Sequence, residues 1–140
     1  MRGLVLVLLL SLGLVPSLAR AERVEVRVSI SQQRMEVFHE GRKLYEWRVS
    51  TAKLPKVTPA GSWTPEFLSR NHRSKRYNNA PMPWAVFYHG NYAIHGTEAI
   101  KRLGKPASHG CVRLHPDNAK ILFRMIKAEG MENARVTVFQ

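Results

Sequence analysis

The chain has 140 residues, 22 Lys or Arg against 10 Asp or Glu, a formal net charge of +12 and a single cysteine. That length is enough for one compact domain with its own core. One cysteine excludes an internal disulfide framework, and the basic excess favours an anionic partner without identifying it.

The chain opens with MRGLVLVLLLSLGLVPSLARA. Arg2 forms a short positive start, an apolar run extends from Leu4 to Leu14, Pro16 interrupts it, and Ala19-Arg20-Ala21 supplies an A-x-A pattern. Residues 1–21 therefore read as a secretory signal peptide cut after Ala21, with residues 22–140 as the exported domain. The competing reading is an uncleaved anchor helix, but the run is near the lower limit for a bilayer span and Pro16 breaks it. With no later apolar run of that length, no stable membrane anchor is expected after cleavage. Losing Arg2 and Arg20 leaves 20 basic against 10 acidic residues, a net +10. The expected location is the periplasm or cell envelope. There an anionic wall polymer or phospholipid surface suits the charge, and nucleic acid is not an expected partner. In an oxidising compartment a lone thiol is buried and inert, intermolecular or reactive.

From Val24 the residues alternate: Val24, Val26, Val28 and Ile30 on one side, Glu25, Arg27 and Ser29 on the other, a half-buried strand. Met35 to Phe38 reads as a second strand, His39-Glu40-Gly41-Arg42 as a hairpin turn, and Tyr45, Trp47 and Val49 as one face of a third. Residues 53 to 83 are punctuated by prolines and read as loop-rich, with 70–79 an exposed basic loop and His72 and His89 ordinary loop residues. Trp84–Tyr88 and Tyr92–Ile94 read as strands around His89-Gly90-Asn91. Thr97-Glu98 could begin a short helix ending at Gly104. A longer helix starts at Pro116-Asp117-Asn118, carries Leu122, Met125, Ile126 and Glu129, and is capped by Gly130; Val136 and Val138 mark a last strand. Short strands with frequent turns predict a mainly β sandwich or barrel with one or two helices packed outside.

The cysteine sits in SHGCVRLH at 108–115. A thiol becomes a useful nucleophile when a nearby base or cation lowers its pKa, or when a helix N-terminus points at it. Cys111 lies a few residues before the helix at Pro116. Gly110 allows backbone N–H groups to turn toward an incoming carbonyl, as an oxyanion hole requires. His109, two residues away in an extended segment, could reach the same side as Cys111. His95 is the better-placed base: it ends a strand and is followed by Gly96, whose size admits a close backbone carbonyl. Two other readings compete. Free cysteine is often a buried hydrophobe. His95, His109, Cys111 and His115 could also offer zinc ligands, although paired spacing such as C-x₂-C is absent and no metal is expected. His115 reads as a helix starter, and of the tryptophans Trp63 and Trp84 are the two that could line a cleft.

IHG at 94–96 followed by SHGCVRL at 108–114 resembles the motif of the L,D-transpeptidases, the YkuD-type catalytic domain. VSISQQRMEVFHEGR resembles that family's opening hairpin, and VSTAK at 49–53, TPAG at 58–61 and MPW at 82–84 resemble its other landmarks. The resemblance covers nearly all of 24–139 and implies a YkuD-type β domain acting on peptidoglycan stem peptides without a cofactor. It implies that Cys111 attacks a tetrapeptide stem and expels D-alanine, and that His95, its ring held by the Gly96 carbonyl, takes the thiol proton. It further implies that amides near Gly110 and Cys111 hold the oxyanion beside His109, that Ser108 orients the loop, and that Arg113 holds a substrate carboxylate; Trp84, from its place in the loop-rich half, is expected to contact substrate as well. The thioester would pass to an amine, giving a 3→3 cross-link; water as acceptor would make an L,D-carboxypeptidase. A basic wall-binding protein without catalysis is the non-enzymatic alternative. Two departures stand out. Many members carry Asn where this chain has Arg113, a bidentate cation. The aromatic expected directly after TPAG comes one position later, at Trp63.

Overall fold

Alternation of Val24, Val26 and Val28 with Glu25 and Arg27 builds β1 (Val24–Ser29) in the computed structural model, which describes residues 22–140. The leader expected over 1–21 lies outside the described residues. β1 pairs antiparallel with β2 (Arg34–His39), and β2 with β3 (Arg42–Arg48). The β2–β3 turn places Glu40 at φ 48° and Gly41 at φ 82°, the two positive angles of a type I′ hairpin. β9 (Ala134–Phe139) lies parallel to β1, and β4 (Gly61–Trp63) closes the first sheet in the order β3-β2-β1-β9-β4.

The second sheet has the order β5-β6-β7-β8, from β5 (Phe67–Arg73), β6 (Pro81–His89), β7 (Tyr92–Gly96) and β8 (Val112–Leu114). β5, β6 and β7 form an antiparallel meander, but β7 and β8 run parallel, with His95 opposite Arg113. One α-helix, α1 (Pro116–Glu129), packs against β6 and β7. Its buried stripe of Ala119, Leu122, Phe123 and Ile126 joins the valines of β1 and β9 and Val86, Tyr88, Ile94, Val112 and Leu114 of the second sheet in one core. The result is the mainly β, two-sheet architecture expected from the sequence.

Several boundaries differ from the sequence reading. Residues 67–73 form β5 rather than loop, so His72 is a strand residue packed edge-on against Phe87. His89 likewise ends β6 and stacks on Trp63. β5 is an edge strand pairing only with β6, and most of its residues face water, so it lacks the apolar alternation that announces a strand. The helix expected over 97–104 contracts to one 3₁₀ turn, Ile100–Arg102, with no buried residue to hold a longer one.

Candidate active site

The second sheet has two faces. Strand alternation sends Ile94, Val112 and Leu114 into the main core and turns Ala93, His95 and Arg113 the other way. On that outer face Met82, Ala85 and Ala93 form a small apolar cluster, with Phe87 and Cys111 packed against it. The cleft over it has a volume of about 1030 Å³, and Cys111, His95, Arg113, Ser108, His109 and Gly110 all line it. The parallel ladder brings this about. With His95 opposite Arg113, the residue two before Arg113, Cys111, comes level with Ala93, two residues before His95.

His95 is buried, and its Nδ1–H donates to the Gly96 carbonyl at 2.7 Å. A carbonyl only accepts, so Nδ1 carries the proton and the Nε2 lone pair is free. Burial, aided by the Arg113 charge, lowers the imidazole pKa to about 4, against the pull of the Gly96 bond. Burial raises the Cys111 thiol, opposed by an Ala93 backbone bond and by Arg113. The sequence suggested a lowered thiol pKa, but desolvation outweighs the neighbouring cation here. Both shifts favour the neutral forms, a thiol and an imidazole lining the same cleft, an arrangement that suits proton transfer during attack rather than a standing thiolate. The sulfur also faces the Asn91 carbonyl at 3.8 Å.

The loop before Cys111 is held from two sides. Ser108 is buried; its Oγ donates to the Cys111 carbonyl at 2.6 Å and accepts the Gly110 N–H at 3.1 Å. The Gly110 amide is thus engaged, and it is the Cys111 N–H that no hydrogen bond among the described residues occupies. Gly110 sits at φ 145°, and a Cβ there would lie 2.7 Å from the Tyr92 ring, so no larger residue fits. Gly96 is similarly confined, with Pro116 Cα 3.0 Å from where a Cβ would stand.

Behind the loop lies a buried polar frame that sequence reasoning missed. Gln33 reaches across to Thr51, its Nε2 donating to Thr51 Oγ1 at 2.6 Å and its Oε1 accepting the Thr51 N–H at 2.9 Å. The Thr51 carbonyl accepts the N–H groups of Ala107 and Ser108, and Ser50 Oγ donates to the Lys105 carbonyl at 2.6 Å. Thr58 Oγ1 accepts the Ala52 N–H at 2.9 Å and donates to the Gly110 carbonyl at 2.8 Å. Isolated Gln, Ser and Thr in loop-like sequence carry no periodic signal; the only hint was that VSTAK and TPAG recur as landmarks.

The remaining candidates are placed differently. His109 is exposed, and its ring stacks on Tyr77 with centroids 4.3 Å apart, which turns it toward the β5–β6 hairpin. Trp84 does not line the cleft, a correction to its expected substrate contact. At φ 56° it packs edge-on against Phe123 of α1, with Arg70, Lys120 and Arg124 over its ring at 4.8, 5.6 and 5.7 Å. His115 caps α1, its Nδ1 accepting the Asp117 N–H at 3.1 Å. Among the described residues no three His, Cys, Asp or Glu side chains gather closely enough to hold a metal.

Residues 23–138 match the model of the L,D-transpeptidase catalytic domain, YkuD. The probable L,D-transpeptidase YbiS of Escherichia coli strain K12 is 36% identical over 81 residues, 58% of this chain and 22% of that protein. The crystal structure of an L,D-transpeptidase from Stackebrandtia nassauensis has a TM-score of 0.72 at 27% identity, covering 84% of this chain and 55% of its own. L,D-transpeptidase 3 from Mycobacterium tuberculosis, in complex with a faropenem-derived adduct, has a TM-score of 0.73 at 20% identity, covering 84% and 60%. The latter likeness is one of fold alone. This chain spans about a fifth of the length of YbiS and a little over half of the solved chains.

Proposed function

Because the chain belongs to the L,D-transpeptidase catalytic-domain family, we propose that it is a cysteine acyltransferase acting on peptidoglycan stem peptides, with Cys111 as nucleophile and His95 as general base. One observation carries the reading: the imidazole on β7 and the thiol one residue before the paired strand β8 line one cleft, with the His95 ring fixed through Nδ1 so that Nε2 is free.

In the proposed reaction His95 Nε2 takes the thiol proton as Cys111 Sγ bonds to the carbonyl carbon at the L-centre of a tetrapeptide stem. The carbonyl oxygen becomes an oxyanion, received by the Cys111 N–H. Collapse breaks the C–N bond, and the departing D-alanine amine takes the proton from His95. The amine of a second stem then attacks the thioester, His95 accepts its proton, and the thiol re-forms, leaving a 3→3 cross-link. Arg113, in register with His95, offers its guanidinium to a substrate carboxylate, and Ser108 holds the nucleophile loop. A thiol, an imidazole and backbone donors suffice, so no cofactor enters.

The expected setting is the periplasm or envelope, reached through a cleaved leader over 1–21, with 22–140 as the catalytic domain. The cations around Trp84 form no ion pair among the described residues, which supports contact with an anionic wall polymer. The test is to incubate the protein with a disaccharide-tetrapeptide and weigh the products. Cross-linked dimer with loss of D-alanine supports transpeptidation. Tripeptide alone transfers the reading to carboxypeptidation, and unchanged substrate defeats both. Exposure to a carbapenem should add one adduct, located on Cys111.

A further inference from the structure

We infer that Thr58 is a positioning residue for acyl transfer: its hydroxyl fixes the Gly110–Cys111 peptide so that the Cys111 N–H faces the cleft. The inference rests on the acyltransfer reading above. Its starting point is a count of donors around the loop. The Gly110 N–H is spent on Ser108 Oγ, so it is not free to receive an oxyanion. The Cys111 N–H is free among the described residues.

A peptide unit is planar, and in the trans form its C=O and N–H point in opposite directions. Leu54–Pro55 is the cis bond of the described chain, so the Gly110–Cys111 unit is trans. Whatever holds the Gly110 carbonyl therefore aims the Cys111 N–H the other way. The holder is Thr58 Oγ1, donating at 2.8 Å. Thr58 is buried and is not part of the cleft wall, whereas Gly110 and Cys111 are. The N–H opposite it consequently faces the side where substrate enters.

Thr58 is itself fixed. Its oxygen accepts the Ala52 N–H, and the segment around Ala52 is tied to the nucleophile loop by Lys53 N–H to the Ser108 carbonyl at 2.9 Å. A β-branched side chain adds a restricted χ1. The hydroxyl hydrogen has one direction left once the oxygen has accepted from Ala52, and that direction is the Gly110 carbonyl. Gly110 needs such a restraint, because at φ 145° its backbone has no side chain to limit rotation.

The test separates chemistry that builds an oxyanion from chemistry that does not. Ring-opening of a carbapenem by Cys111 makes a tetrahedral oxyanion; alkylation by iodoacetamide is a displacement at carbon and makes none. Both rates are read by intact mass on wild type, Thr58→Val and Thr58→Ser. Thr58→Val should slow acylation about 10- to 100-fold, below the loss for deleting an oxyanion donor outright, and leave alkylation at the wild-type rate. Thr58→Ser, which keeps the hydroxyl, should restore acylation. Equal slowing of both reactions, or unslowed acylation in Thr58→Val, overturns the inference. If Thr58→Val does not fold, Thr58→Ala is read by the same two rates, with the same criteria. A wild-type protein that alkylates but never acylates defeats the acyltransfer reading instead.

Discussion

The first sheet carries a run of ion pairs and a valine ladder, while the second carries arginines without carboxylate partners together with the thiol and imidazole of the cleft. On the first, Arg27 pairs with Glu25, Arg34 and Lys43 with Glu46, Lys43 with Glu36, and Arg135 with Glu22, while Arg23 and His39 reach Glu129 at the end of α1. On the second, Arg70 of β5 lies over Trp84, and neither it nor Arg113 has a carboxylate partner among the described residues. Along the cleft of that sheet stand a half-buried thiol and a buried imidazole, each shifted toward its neutral form by desolvation. The contrast teaches a division of labour: one sheet secures the fold with ordinary means, and the other holds groups that fit poorly into a stable core.

The sharpest way to break this comparison is Cys111→Ala. Turnover should vanish in the product assay while the thermal midpoint stays near wild type, since the Cys111 side chain packs against the small outer cluster rather than the main core. His95→Ala comes next and should slow acylation by about 10²–10⁴-fold, the usual range for a positioned base. His109→Ala should cost far less, because its ring is engaged with Tyr77; a larger loss there than at His95 would reverse the assignment of the base. In the first sheet, fully buried Met35→Ala should lower stability by about 2–5 kcal/mol in urea titration and leave the acylation rate of the folded protein unchanged.

The pH dependence sharpens the same contrast. His95 titrates at about 4 when folded against about 6.5 when unfolded. Above the unfolded value both states hold it neutral and it has no effect on stability. As pH falls through that window the unfolded state binds the proton first, and stability should drop by roughly 3 kcal/mol. His95→Asn should flatten this slope in denaturation curves recorded from pH 7 to 4. Acylation by the wild type should persist well below pH 6.5 for the same reason. Iodoacetamide should react faster only at alkaline pH, above the ordinary thiol range, since Cys111 is raised. The smallest effect is expected from Glu46→Gln, an exposed partner whose loss should cost under about 1 kcal/mol in the same titration.

What the sequence made legible follows the same line. Valines at alternate positions identify β1, and Glu40-Gly41 and Gly90-Asn91 identify hairpins, because period and turn chemistry are local properties. The motifs IHG and SHGCVRL singled out His95 and Cys111, and the two line one cleft. β4 and β5 were not, since short or solvated edge strands leave no alternation to read. Trp84 misled because its positive φ turns the side chain to α1, a backbone feature that composition does not encode. The direction of the thiol's pKa was equally hidden. It depends on how deeply the sheet buries sulfur relative to Arg113, a balance that only three-dimensional packing sets.

The parallel pairing of β7 with β8 has one more effect. His95, the proposed base, lies within β7, and Cys111, the proposed nucleophile, directly precedes β8, the strand paired to β7 in one ladder. No opening or closing of parts can separate the two without unzipping hydrogen bonds of the sheet. A dormant form of this protein would therefore need a plug seated over the sulfur, and a plugged molecule would be as well folded as a working one.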